Sequence, residues 1–329
     1  MTVSVVMPVY NAVDTVFQTL ETLRAQTFQG LEMVVVDDGS TDGTTELLRA
    51  QKDLVLLERS HRGIVPALND GLEAATGTYI ARMDADDFCH PERIEKQIAF
   101  LEAHPDLGLV GCRVGFGGNR EAQAGYATYV DWINSLTQPE EIALNRFVES
   151  PLAHPSVMFR AALLPRFGTY RDGNFPEDYE LWLRWMAAGV KMGKVDEELV
   201  IWNDPPTRLS RTDERYSIDA FYETKAQYLF QWLEKNNPHH PELIVWGAGR
   251  VTRRRAEILS KYGIRISHYI DVKPRRLNCG TPVLQPSEIP PPETCFILPM
   301  VGNRGARRKI ADFLTTNGFV VGKNTLFYG

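Results

Sequence analysis

Basic charge is in short supply. The 329-residue chain has 36 Lys and Arg against 42 Asp and Glu, a net charge of −6 with His neutral. That balance argues against nucleic acid as the partner. Cysteine is scarce too. Cys89, Cys112, Cys279 and Cys295 lie far apart, with no Cys-x-x-Cys pair. Such spacing supplies neither a zinc site nor a disulfide framework, and a reducing cytoplasm is the simplest setting. No apolar run approaches membrane-spanning length. Met1–Pro8 has no basic n-region, and its apolar run stops at Pro8, which reads as a strand and not a signal peptide. A lipid-linked substrate would therefore be met by peripheral contact at the inner face of the membrane. Internal repeats at solenoid periods are also missing.

What is present is an alternation of strand and helix patterns. Val3–Met7, Leu31–Val36, Leu54–Leu57, Tyr79–Met83 and Leu107–Cys112 are short apolar runs of the kind buried strands have. Between them Val16/Leu20/Leu23, Ile64/Leu68/Leu72 and Ile94/Ile98/Leu101 recur at helical spacing. This alternation predicts an α/β domain with a mostly parallel sheet. Residues 115–138 are rich in Gly, Tyr and polar side chains and are expected to form a loop-rich insertion. Glu177-Asp178 open an amphipathic helix to Ala188 whose Trp182 and Trp185 are expected in the core. Asn236–Pro241 reads as a linker. The expected organisation is a domain over 1–235 with a helical extension, a linker at 236–241 and a small domain over 242–329.

The strand Thr78–Met83 ends in Asp84-Ala85-Asp86-Asp87, three carboxylates within four residues. Like charges this close repel unless a cation sits among them. Mg²⁺ takes one or two carboxylates and leaves its other positions to phosphate and water. The stretch thus reads as a metal–diphosphate site, or else as a solvated acidic turn. A second acidic pair, Asp37-Asp38, ends another strand. In open α/β sheets that edge is where ligands bind.

Five motifs appear in order: Met7-Pro8-Val9-Tyr10-Asn11, Val36-Asp37-Asp38-Gly39-Ser40-Thr41-Asp42-Gly43-Thr44, Ala81-Arg82-Met83-Asp84-Ala85-Asp86-Asp87, Pro91-Glu92-Arg93 and Glu177-Asp178-Tyr179-Glu180-Leu181-Trp182. Over roughly residues 1–215 the chain resembles the family 2 glycosyltransferases of GT-A fold. The resemblance implies an inverting transferase that moves a sugar from a nucleotide-sugar, a UDP-sugar first, to a glycan or lipid-linked acceptor in bacterial-type surface polysaccharide synthesis, with Mn²⁺ or Mg²⁺. It implies Asp86 as metal ligand, with Asp84 sharing that role or holding the donor's ribose or sugar. Asp38 would accept a hydrogen bond from the donor's base, with Pro8, Val9 and Tyr10 lining the nucleoside pocket. Asp37 reads equally well as an Asx-type turn residue. Arg62 and Arg82 are candidates for phosphate or sugar hydroxyls, with a surface ion pair as the alternative for either, and Arg208 or Arg211 for the donor's phosphate. Asp178 would be the base, with Glu177 orienting it or binding the acceptor. Its place at a helix start favours the anion and predicts a lowered pKa. His154 reads as a satisfied structural histidine. Where relatives often carry His ahead of Arg208, this chain has Asp204-Pro205-Pro206.

The last 90 or so residues read as a small Rossmann-like domain, resembling those attached to some sugar-modifying enzymes. Gly247-Ala248-Gly249 follows a strand and precedes a helix, yet the third Gly of the dinucleotide fingerprint is missing. A structural, homo-oligomerising or acceptor-docking role is the simpler expectation. The competing reading of the whole chain is a non-catalytic regulator binding a sugar nucleotide or NAD(P).

Overall fold

The computed structural model describes residues 1–205, 208–274 and 280–329; Pro206 and Cys279 lie outside the described residues. The chain forms two compact units, residues 1–143 with 150–215, and 144–149 with 216–329.

In the first unit, strands β1 (Val3–Val9), β2 (Leu31–Asp37), β3 (Val55–Glu58), β4 (Tyr79–Arg82), β5 (Phe88–Cys89), β6 (Leu107–Phe116), β7 (Met158–Arg160) and β8 (Lys191–Trp202) make one sheet in the order β3-β2-β1-β4-β7-β6-β8-β5. Strands β3, β2, β1 and β4 are mutually parallel; β7 runs antiparallel to both β4 and β6. Helices α1 (Val16–Arg24), α2 (Thr44–Arg49), α3 (Ile64–Ala74), α4 (Arg93–Ala103) and α5 (Ala124–Ser135) precede α6 (Pro139–Asn145), which crosses into the second unit. Helices α7 (Leu164–Phe167), α8 (Glu177–Ala187) and α9 (Leu209–Thr212) complete the first.

The period of two along β1 sorts its side chains between two cores. Val3, Val5, Met7 and Val9 join Val16 and Leu20 of α1 and Ile94 and Leu101 of α4. Val6 on the other face joins Val65 and Leu68 of α3 and Trp182 and Trp185 of α8. A sheet covered on both faces explains why its strands read as continuous apolar runs. The two tryptophans are fully buried, as expected.

Residues 115–138 are not a loop throughout. Ala127, Val130 and Ile133 of α5 are buried at a spacing of three. Asn134 pins the helix to β6, its Oδ1 accepting from Val114 N at 2.9 Å and its Nδ2 donating to Val114 O at 2.8 Å. The polar, Gly- and Tyr-rich composition masks that short apolar stripe.

Lys194 on β8 is 2% exposed and donates to the carbonyls of Ile133 and Pro151. Burial pushes its pKa down to about 7. Between about pH 7 and 10.5 the unfolded chain therefore carries a proton that the native chain lacks, and stability rises with pH by up to about 1.4 kcal/mol per unit. Below pH 7 both states are charged and this contribution is gone. Denaturant unfolding of wild type and Lys194→Met across pH 7–10 should give curves whose difference slopes upward. A pH-independent difference would count against it.

In the second unit, β9 (Glu242–Trp246), β10 (Arg265–Ile270), β11 (Val283–Leu284) and β12 (Ile297–Pro299) form a parallel sheet in the order β11-β10-β9-β12. Helices α10 (Ile218–Asn236), α11 (Arg250–Ser260) and α12 (Arg304–Thr316) belong to it. The boundary thus precedes α10, where the linker reading had put it after. The reason is packing: the Tyr222 and Tyr328 rings meet edge-on at 5.2 Å, and the buried Lys225 Nζ lies 3.9 and 4.5 Å from their centroids. Near the end of the chain Val321 forms an isolated bridge with Thr325. Gly322, at φ 85°, turns the chain back, and its N–H donates to Thr325 O at 2.8 Å. Among the described residues no helix is long and apolar enough to cross a membrane.

Candidate active site

The C-terminal edge of β1, β2 and β4 gathers the acidic motifs. At its β2 end Asp38 is 4% exposed and takes N–H bonds from Arg62 (2.9 Å) and Gly63 (2.8 Å), the residues that lead into α3. A carboxylate at a helix start is favoured by the helix dipole, and its remaining lone pairs are still free to accept one more donor. His61 Nδ1 lies 2.9 Å from Asp38 Oδ2, and its ring stacks on Tyr10 at 4.1 Å. Tyr10 is 47% exposed, Val9 is buried and Pro8 partly so. Gly39 makes this junction possible: at φ 78°, a Cβ would sit 2.7 Å from His61 N. Asp37 is spent on its own loop, accepting from Ser40 and Thr45. The Arg62 side chain is paired with Asp70 at 2.7 Å.

At the β4 end, ligand oxygens of Asp84, Asp86 and Asp87 all lie within 4.8 Å of one another. Arg82, 2% exposed, pairs with Asp84. Burial first, then the neighbouring Asp84, pushes Asp86 up to about 6. Asp87 is raised well above the carboxylate range by burial and then by Asp84 and Asp86. Its Oδ1 accepts from Asn203 N at 2.7 Å, while its Oδ2 is buried with no hydrogen-bond partner. Crowded carboxylates with an orphaned oxygen are what a hard divalent cation satisfies; the donor set fits one. The buried Arg93 of the Pro-Glu-Arg motif holds this strand end from beneath, donating to Arg82 O at 2.9 Å and to Gln97 at 3.1 Å.

Two further elements face the cluster. Asn203 Nδ2 donates to Asp86 O at 2.5 Å, which ties the end of β8 to the acidic turn. Arg208 lies 4.2 Å over the Trp202 ring and 5.0 Å over Tyr126, whose hydroxyl it meets. Its charge helps hold down both Asp86 and Asp178. Asp204, buried, pairs with Arg211 and lies 3.7 Å from Arg208, so it positions cations here.

Asp178 stands at the start of α8 with Oδ1 accepting from Tyr179 N at 2.7 Å. Its pKa is pushed up to about 6, burial outweighing the Tyr179 N–H bond and the charges of Arg82 and Arg208. The lowered value expected from the helix start is overturned, because desolvation exceeds the pull of the dipole. Glu177 is 2% exposed and 4.0 Å from His154 Nδ1. Burial keeps His154 well below its usual pKa, hence neutral, and its Nε2 bonds the Tyr170 hydroxyl at 2.7 Å. Arg82, Asp178, Glu177 and Asp84 all act electrostatically on that phenol. Tyr170 thus feels both Asp178 and Asp84, and with Asn203 and Tyr126 it was absent from the sequence-based set.

Residues 4–166 match the model of Glycosyl transferase family 2. The "Putative glycosyltransferase EpsE" of Bacillus subtilis is 30% identical over 66% of this chain and 78% of its own length. The chain belongs to glycosyl transferase family 2. The Escherichia coli "UDP-Glc:alpha-D-GlcNAc-diphosphoundecaprenol beta-1,3-glucosyltransferase WfaP" is 29% identical over 57% of this glycosyltransferase and 72% of WfaP. Among solved structures, S. aureus TarS 1–349 with UDP-GlcNAc superposes with a TM-score of 0.52 at 19% identity, covering 80% of this chain and 71% of that one. The fold is α/β and GT-A-like.

Proposed function

We propose that this glycosyltransferase is metal-dependent and inverting, and moves a sugar from a nucleotide-sugar, a UDP-sugar by preference, to a glycan or lipid-linked acceptor of surface polysaccharide. One observation carries the reading: the carboxylates of Asp84, Asp86 and Asp87 converge at one strand edge, while Asp178 shares with them the field of Arg82 and Arg208. Crystallised TarS holds UDP-GlcNAc, and the name of WfaP states a UDP-Glc donor and a diphosphoundecaprenol acceptor; both support the donor and acceptor classes.

Asp86 and Asp84 would hold Mn²⁺ or Mg²⁺, which stabilises the leaving nucleoside diphosphate. Arg208, fixed on Trp202 and Tyr126, supplies a permanent positive charge beside that diphosphate. Tyr10, stacked on His61, offers an exposed ring face for the base, and Asp38 accepts an N–H from it. Asp178 takes the proton of the acceptor hydroxyl as that oxygen attacks the anomeric carbon from the face opposite the leaving group. Glu177 orients the acceptor. The second unit is read as a Rossmann-like appendage.

A thermal-shift series tests donor and metal together. A UDP-sugar with Mn²⁺ at about 100 times its Kd should stabilise the protein by about 2.7 kcal/mol, and EDTA should remove most of that gain. Stabilisation by NAD(P) alone, with every nucleotide-sugar silent, would favour the regulatory reading.

A further inference from the structure

The two units carry opposite charge. Residues 144–149 and 216–329 hold 17 Lys and Arg against 10 Asp and Glu, a net of +7; the remainder holds 19 against 32, a net of −13. The modest whole-chain value conceals a basic unit, and charge asymmetry of this kind points to an anionic partner.

The basic residues have a defined place. Strands β9, β10 and β12 run parallel, so their C-terminal ends share one edge of the sheet. From that edge start α11 at Arg250, the turn Asp271–Lys273 after β10, and α12. Arg250, Lys273 and Arg308 are exposed, and among the described residues none has a carboxylate within ion-pair distance. Arg254, one turn along α11, pairs at 2.8 Å with Asp219, which brings the first turn of α10 alongside. Three exposed aliphatic residues adjoin these in the chain: Val251 (54%) follows Arg250, Val272 (70%) precedes Lys273, and Ile218 (63%) precedes Asp219, the partner of Arg254. Exposed apolar residues scattered singly are ordinary. Here they stand beside unpaired cations on one edge, the combination by which proteins lie on a bilayer, aliphatic groups entering the headgroup boundary and Lys and Arg meeting phosphates.

We propose that this edge of the second unit docks on an anionic lipid surface through Ile218, Val251 and Val272 with Arg250, Arg254, Lys273 and Arg308. Single-stranded nucleic acid, the other polyanion that such charge attracts, is gripped by aromatic stacking, whereas the exposed apolar groups here are aliphatic.

The test is co-sedimentation of the full chain with vesicles of phosphatidylcholine alone, or with about one-third phosphatidylglycerol. Binding is expected to the anionic vesicles only, and to weaken with salt. Each neutralised cation should weaken it about fivefold, so R250A/R254A/R308A loses about 100-fold. I218S/V251S/V272S should lose most of the binding that survives high salt. Transfer to a water-soluble acceptor should stay at the wild-type level in both, which separates docking from catalysis. If a triple variant misfolds, R250A and V251S, both at exposed positions, give the same reading at smaller size. Failure to bind anionic vesicles would overturn the proposal. So would equal binding to neutral vesicles, or RNA binding as tight as vesicle binding and indifferent to the aliphatic substitutions.

Discussion

Asp86→Asn should lower transfer about a thousandfold, the scale seen when one preorganised group stabilising transition-state charge is removed, with the fold intact. Asp86 is the carboxylate that burial and Asp84 push up to about 6, so in the cation-free protein its charge is a liability. An isosteric amide relieves repulsion with Asp84 and Asp87, and the variant without metal should melt no lower than wild type. What it should lose is the response to Mn²⁺: the cation-dependent part of the donor-induced thermal shift disappears. Wild-type transfer by the variant, or an unchanged Mn²⁺ response, would show that the cluster is an acidic turn and no metal site. Asp87→Asn should be milder. Its Oδ1 already serves Asn203 N, a bond an amide oxygen can keep.

Much of this was legible in the chain because local pattern and final environment agree. Val3–Met7 and Met33–Val36 are buried on both faces, so apolarity marks them as strands without further context. Asp84, Asp86 and Asp38 were visible because a strand end is where an acidic residue has no business in a core. Helix α5 was hidden: its buried stripe is three side chains long and set among Gly and Tyr. Tyr170, Asn203 and Tyr126 were hidden for a different reason. Asn203 meets Asp86, Tyr126 meets Arg208 and Tyr170 meets His154 only through tertiary structure, across 117, 82 and 16 residues of chain, and no spacing announces that. At Arg62 local reading left two outcomes open, and the structure shows the ion pair: its guanidinium meets Asp70, while its backbone N–H donates to Asp38. The Asp178 pKa belongs to the same lesson: a helix start is a local feature, whereas desolvation depends on everything packed around it.

That pKa makes the second large effect specific. Asp178→Asn should reduce turnover by about 10²–10⁴-fold, the usual contribution of a positioned general base, and should leave the KM for donor near the wild-type value, since the loss is confined to the transition state. The amide Oδ1 can still accept the Tyr179 N–H, so α8 should start as before. The pH profile distinguishes a base from a helix cap. A base works as the carboxylate, and Asp178 is held at about 6 by burial. Wild-type turnover should therefore rise with pH through about 6 and level off above 7, each unit below 6 costing about tenfold. The Asn variant has no group to deprotonate, and its residual rate should be flat across that interval. A low but unchanged pH profile in the variant would assign the acidic limb to another group, with Glu177 the first to substitute. Undiminished turnover would remove Asp178 from the chemistry and leave it the role of shaping the helix start.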